Sequence, residues 1–289
     1  MMGNDSTLRP VSRSLLLGGS LLIAIGFFHG IVWLIQGGEW EGPLSIRKPI
    51  LFGFSAGITS WSMAWVVRRL PVWRIDRWVN SIFAVSLVVE VLLIVMQQWR
   101  GVASHFNRQT PFDAGVFAMM GLLIQIISIC LLLWTLRSFG PIGRERDERI
   151  AIRTGMVLIL FSCAFGVFMI SYGNSRIAVG LAPEIYGAHG LLKFAHGVPL
   201  HSIQWLIVAC WLGRYFHLKE RKRAIAVGLV STGQILLTTF ATIQVLGGRE
   251  RFDLTWASGG LLALSILVTS LAIVPMIRGG ISRQIEAAT

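Results

Sequence analysis

Charged side chains are scarce in this chain. They make up 14% of its 289 residues, against about 25% in an ordinary soluble domain. Acids are the scarcer sign, with 14 Asp and Glu to 26 Lys and Arg. No polar stretch is long enough for a separate water-soluble domain. The cysteines are three, Cys130, Cys163 and Cys210, each inside an apolar run. No Cys-x-x-Cys occurs, so neither a disulfide framework nor a zinc knuckle is indicated. His-Glu-x-x-His and His-x-x-x-His pairs are also missing, and with them the usual helical zinc signatures. No Gly-x-Ser-x-Gly turn marks a hydrolase nucleophile.

What fills the chain is hydrocarbon: 54% of residues are apolar. About 20 consecutive apolar residues span a bilayer as a helix. Eight segments meet that length, at 13–36, 49–67, 78–98, 114–136, 151–172, 196–213, 224–246 and 256–277. The expected fold is therefore all-α, a polytopic membrane bundle of eight transmembrane helices in a single integral domain, 1–289. The first apolar run is long enough to span and reads as a helix that stays in the protein.

The net charge of +12 would suggest a nucleic-acid partner in a soluble protein. Here its placement points instead to orientation. Arginines crowd the loops "RRLPVWRIDR", "RSFGPIGRERDER" and "GRYFHLKERKR". With both termini these loops collect 18 of the 26 cations, leaving 8 for the other side. The positive-inside rule then places both termini in the cytoplasm, with the bilayer of the plasma membrane as the first partner and nucleic acid as none.

The four opposite segments mix acids, histidines, amides and single cations. They are "GGEWEGPLSIRK", "RGVASHFNRQTPFD", "YGNSRIAVGLAPEIYGAHGLLKFAHG" and "GGRERFDLT". A site is expected on this outer face. Three ionisable groups fall in one layer beneath it. Glu90 lies about eight residues, roughly 12 Å, from the outer end of its span. His29 lies at similar depth in the first span, and His201 in the sixth, with Gln204 one turn further on the same face. An ionisable group in hydrocarbon is expensive unless it faces the bundle or water, so each is expected to have an interior partner. Cations offered as partners or ligand contacts are Arg47, Lys48, Arg100 and Lys193.

His189, Lys193 and His196 share one helical face at i, i+4 and i+7 if the segment from Tyr186 is helical. Pro199 then turns His201 toward the same cavity. Arg100, Ser104, His105, Asn107 and Asp113 lie within fourteen residues of the loop after span three. Adjacent Ser and His seldom pair for catalysis. The stretch "TPFDAG" is expected to start span four, with Pro111 in the first turn and Asp113 as N-cap. Gly53, Gly57, Gly259 and Gly260 are expected to bring helices close together.

An internal duplication is also expected. "GIVWLIQGG" parallels "GVFMISYGN", "GPLSIRK" parallels "GAHGLLK", and "EVLL" from Glu90 parallels "QILL" from Gln234. The spacings are near half the chain and suggest two four-helix repeats, 1–145 and 146–289.

The motifs "SIRKPILFG" and "QQWRGVASHFNRQTPFDAG" resemble a family of uncharacterised bacterial multi-pass membrane proteins, over most of the chain. That likeness implies the architecture and no activity. Eight spans in two four-helix halves are also similar to heme A synthase. In that family histidines recur on the even-numbered helices; here only span six fits, through His196 or His201.

Three functions follow as expectations. The first is a membrane enzyme or redox protein that uses a heme or transition metal. His29, His196 and His201 would bind the cofactor, with Glu90, Arg100 and His105 as catalytic groups. The second is a proton-coupled or anion-binding transporter of a small solute, with Arg47, Lys48, Asn107, Asp113, Lys193 and Gln204 as contacts for the small-molecule ligand. The third is a non-catalytic assembly or sensor subunit.

Overall fold

The computed structural model describes residues 12–42, 44–142, 144–183 and 192–275. Among them all regular structure is helical. Eight helices follow in order: α1 (Arg13–Gln36), α2 (Arg47–Val67), α3 (Asp76–Trp99), α4 (Pro111–Ser138), α5 (Arg146–Ala178), α6 (Leu192–Tyr215), α7 (Glu220–Leu246) and α8 (Trp256–Leu271). Each contains or closely follows one apolar run. Most extend a few residues beyond it, because polar end turns continue the backbone hydrogen bonding.

Seven of these helices are long and apolar enough to cross a membrane. The exception is α6, whose 24 residues include His196, Pro199, His201 and Gln204. Its length suffices, but its composition is more polar. It runs unbroken through Pro199.

The chain divides into two compact units. One comprises residues up to Trp134 with Ser171–Gly187; the other comprises Thr135–Ile170 and everything from Ala188. The first is built on α1, which packs on α2 and α3. The buried residues of α1 are Leu15, Gly19, Leu22, Gly26 and His29. Their alternating steps of four and three keep one narrow stripe facing a partner helix. Glycine is required on that stripe. A Cβ on Gly53 of α2 would lie 2.7 Å from the Gly26 nitrogen, and one on Gly57 would lie 2.8 Å from the Gly19 carbonyl oxygen. Ser60 Oγ closes the seam by donating to the Leu15 carbonyl at 2.7 Å. Backbones this close gain van der Waals contact that lipid cannot match. On α3 the inward stripe continues through Phe83, Leu87, Glu90, Ile94 and Gln97. Ile94 packs with Val116 and Met120 of α4.

In the second unit α7 packs on α6 and α8. Phe165, Ala195 and Val245 join α5, α6 and α7 in one apolar cluster. The tight glycines here are Gly155, against Ile203, and Gly233, against Thr269 and Ser265. Gly259 has only ordinary contacts and Gly260 none within 4 Å. The close-packing role expected of that pair therefore falls to Gly155 and Gly233, which sit at helix crossings.

The cysteines are all free. The arginine-rich loops of the second unit are more than orientation signals. Arg214 binds Glu145 at 2.7 Å, Asp147 at 2.8 Å and Glu148 at 3.2 Å. Arg223 reaches Glu145 at 2.7 Å and Asp147 at 3.5 Å. Two guanidinium groups thus tie the start of α5 to α6 and α7.

Candidate functional site

In the first unit the candidate residues gather on α3, the α3–α4 loop and the helix ends beside it. Glu90 lies nine residues before the last residue of α3, about 14 Å along the axis. Its side chain is on the inward stripe and is 3% exposed. Its Oε2 has no hydrogen-bond partner among the described residues. Most buried polar atoms are paired, so such an oxygen calls for an explanation.

The buried titratable groups on the helices packed against α3 are His29 on α1, Lys48 on α2, and Asp113, Cys130 and Arg137 on α4, the last two lying toward the far end of α4 from Asp113. Two of these are committed elsewhere. His29 Nδ1 donates to the Ile25 carbonyl at 2.8 Å. Its Nε2 accepts from Trp99 Nε1–H at 3.0 Å. A carbonyl can only accept and an indole N–H can only donate, so the ring is the neutral Nδ1–H tautomer with both nitrogens used. The Nε2 lone pair that a metal would use is taken here by the Trp99 N–H.

Asp113 is likewise saturated. Its Oδ1 accepts from Arg100 at 2.6 Å and from Gln97 Nε2 at 3.0 Å. Its Oδ2 accepts from Thr110 Oγ1 at 2.7 Å, and its backbone N–H donates back to that hydroxyl at 3.1 Å. Because α4 begins at Pro111, Thr110 is the N-cap and Asp113 stands three residues into the helix, one capping partner later than expected. Arg100 also binds the Gln97 side-chain oxygen and lies over the Phe112 ring. Arg100 and Asp113 therefore anchor the α3–α4 loop to both its helices.

Ser104 and His105 do meet, with Oγ 3.0 Å from Nδ1. The imidazole lies between the rings of Phe52 and Phe117. Ser104 is buried, so this contact orders the loop; a nucleophile must reach its substrate. Asn107 Oδ1 accepts from the Gln109 backbone N–H, an Asx turn. The loop is also held by Arg108, which donates to Asn174. Arg47 pairs with Glu41 at 3.5 Å and faces Trp40. Lys48 is buried at the first turn of α2.

In the second unit His196 is pre-oriented. Its Nδ1 donates to the Ser162 carbonyl at 2.8 Å, and Ser162 Oγ donates to the His196 carbonyl at 2.8 Å. His201 is half-buried, and Gln204 follows it one turn on with both amide atoms buried. Lys193 is half-buried in the first turn of α6. His189 and Tyr186 fall outside the described residues. Among the described residues no three His, Cys, Asp or Glu side chains are grouped to hold a metal ion.

Four contributors escaped the reading of the sequence: Gln97, Trp99, Ser162 and the Ser202–Gln234 pair, joined by a hydrogen bond of 3.1 Å. Gln97 carried a usable signal, since it shares the three-and-four spacing of Glu90. Trp99 resembled any interfacial tryptophan, and serines in apolar helices carry no signal at all.

These helices define a multi-pass helical protein of membrane type. Comparison with protein-family models, curated proteins and solved structures finds no match.

Proposed function

We propose that this chain is a proton-coupled carrier of a small solute, with Glu90 as the group that takes up and releases the proton. All eight helices cross the membrane in this reading, and both termini are cytoplasmic. The observation that carries it is the buried Glu90 Oε2, which has no hydrogen-bond partner among the described residues and lies on the inward stripe of α3 between the packing residues Leu87 and Ile94. An uncompensated carboxylate in such a place costs several kcal/mol. It is a costly residue for packing alone, and a suitable one for a group that binds and loses a proton as its surroundings change.

The test is uptake by proteoliposomes under an imposed pH gradient, using a panel of labelled organic anions and amines. Uptake of at least one class should collapse with an uncoupler and fall at least tenfold in Glu90→Gln. Uptake indifferent to both treatments would remove the proton-coupling role.

One observation favours a second reading, a heme- or metal-dependent membrane enzyme. His196 donates Nδ1–H to a backbone carbonyl, the contact that commonly orients a ligating histidine and leaves Nε2 as the donor to a metal. Absorbance of the purified protein between 400 and 450 nm tests the heme form. A colourless, metal-free preparation that transports removes this reading.

A further inference from the structure

We infer that the chain is a duplicated four-helix unit whose copies have diverged at one buried position, so that each chain carries a single intramembrane proton site, Glu90, with a neutral counterpart at Gln234. The proton-handling part rests on the carrier reading above.

The first support is where the helices begin. Asp76 and Glu220 start α3 and α7, 144 positions apart, and Pro111 and Trp256 start α4 and α8, 145 positions apart; Arg13 and Arg146, which start α1 and α5, are 133 apart. Apolar sequences align by chance, but chance does not reproduce contacts made by the same kinds of group at the same offset.

Several such contacts recur. Arg69 donates to the carbonyl four residues back, Trp65, at 3.0 Å. Arg214, 145 positions later, donates to Cys210 at 3.1 Å. Thr110 caps α4 with Asp113 as its partner. Thr255 caps α8 with Ser258, again 145 positions on. Outside that offset, at 147 positions apart, Gln97 and Gln244 are each fully buried and third from the end of their helices. Each sends its amide to the segment leading into the next helix: Gln97 to Asp113 at 3.0 Å, and Gln244 to the Glu250 and Asp253 carbonyls at 2.9 and 3.0 Å. Gly19 and Gly155, 136 positions apart on the first helices of the two units, each pack tightly on the second helix, at Gly57 and Trp61 and at Ile203.

Against that shared frame the difference stands out. Glu90 and Gln234 are 144 positions apart, and both lie on the inward stripe of the third helix in their unit. Gln234 Oε1 accepts from Ser202 Oγ of α6 at 3.1 Å. The residue of α2 that corresponds to Ser202, 145 positions earlier, is Gly57. It has no hydroxyl, and its Cα is pressed against α1. One copy therefore holds a neutral amide that is met by a serine. The other holds an acid whose second oxygen is met by none among the described residues.

The test is covalent mapping with dicyclohexylcarbodiimide on the full chain in liposomes. A protonated carboxyl adds its oxygen to the central carbon of the reagent and its proton to a nitrogen, then rearranges to a stable N-acylurea. Wild-type protein should take one adduct, at Glu90. No adduct at Glu90, or a second stoichiometric adduct on another helix carboxyl, would overturn the single-site inference. The double variant Glu90→Gln/Gln234→Glu should move the adduct to position 234. A monodisperse double variant left unlabelled there would show that the two positions are not equivalent. The wild-type count needs no variant, so it remains decisive if the double variant does not fold. Uptake that survives in Glu90→Gln would defeat the proton-coupling role while leaving the adduct map to judge the duplication.

Discussion

Polar residues inside this protein divide by whether their hydrogen-bonding capacity is used. His29 spends both ring nitrogens, one on Ile25 and one on Trp99. Its replacement by Ala should leave any visible absorbance of the purified protein unchanged and destabilise it by about 1–3 kcal/mol, since a donor and an acceptor lose their partner. A thermal melt in detergent with a parallel spectrum checks both parts. Asp113 gathers donors from Arg100, Gln97 and Thr110. Thr110→Ala should cost about 1 kcal/mol, the usual cap value, and Asp113→Ala should cost more, because it also releases Arg100 and Gln97; ranking the two midpoints is the measurement. Glu90 Oε2 is among the buried atoms with no partner in the described residues, as are the Thr59, Ser231 and Thr238 hydroxyls; being a carboxylate oxygen, which costs more to bury unpaired, it is the one given a functional reading.

Single helices here are shaped by glycine and serine as much as by leucine. Gly53 and Gly57 let α2 approach α1 until backbone meets backbone. Gly57→Val should destabilise the α1–α2 pair by about 1–3 kcal/mol, while Gly260→Val, where no atom lies within 4 Å, should be nearly silent. Hydrogen exchange of α1 amides separates the two outcomes. At the other ends of α6 and α7, Arg214 and Arg223 share the acids that open α5. Arg214→Ala should lower stability by up to about 3 kcal/mol; the loss is moderated because its side chain is 35% exposed and Arg223 stays near Asp147. A melt at low and high salt should show the deficit shrinking as salt screens the remaining pairs.

At the scale of the molecule, the question is how many helices cross. Seven qualify by length and composition; α6 is polar enough to fall short. If α6 crosses as proposed, reporter fusions at both termini should report the cytoplasm, and a fusion in the α5–α6 segment the opposite side. A C-terminal reporter on the far side would mean that α6 does not cross. The two compact units carry the candidate residues separately, Glu90 and His29 in one, His196 and His201 in the other. Each group is described by its own neighbours within its unit.

Helix number, helix limits and the chemically mixed loops were legible in the chain because each depends on local composition. An apolar run of about 20 residues has few ways to satisfy its backbone in a bilayer other than as a helix. The three-and-four spacing of Glu90 and Gln97 was equally present in the letters. Partnership was not. Whether His29 is a ligand or a satisfied ring depends on Trp99, 70 positions away; whether Gln234 is met depends on Ser202. Hydrogen bonds are short and directional, so they are decided by which helices pack and in what register. Composition does not carry that register. The acid at position 90 is visible in the sequence, but only packing leaves one of its oxygens without a partner among the described residues.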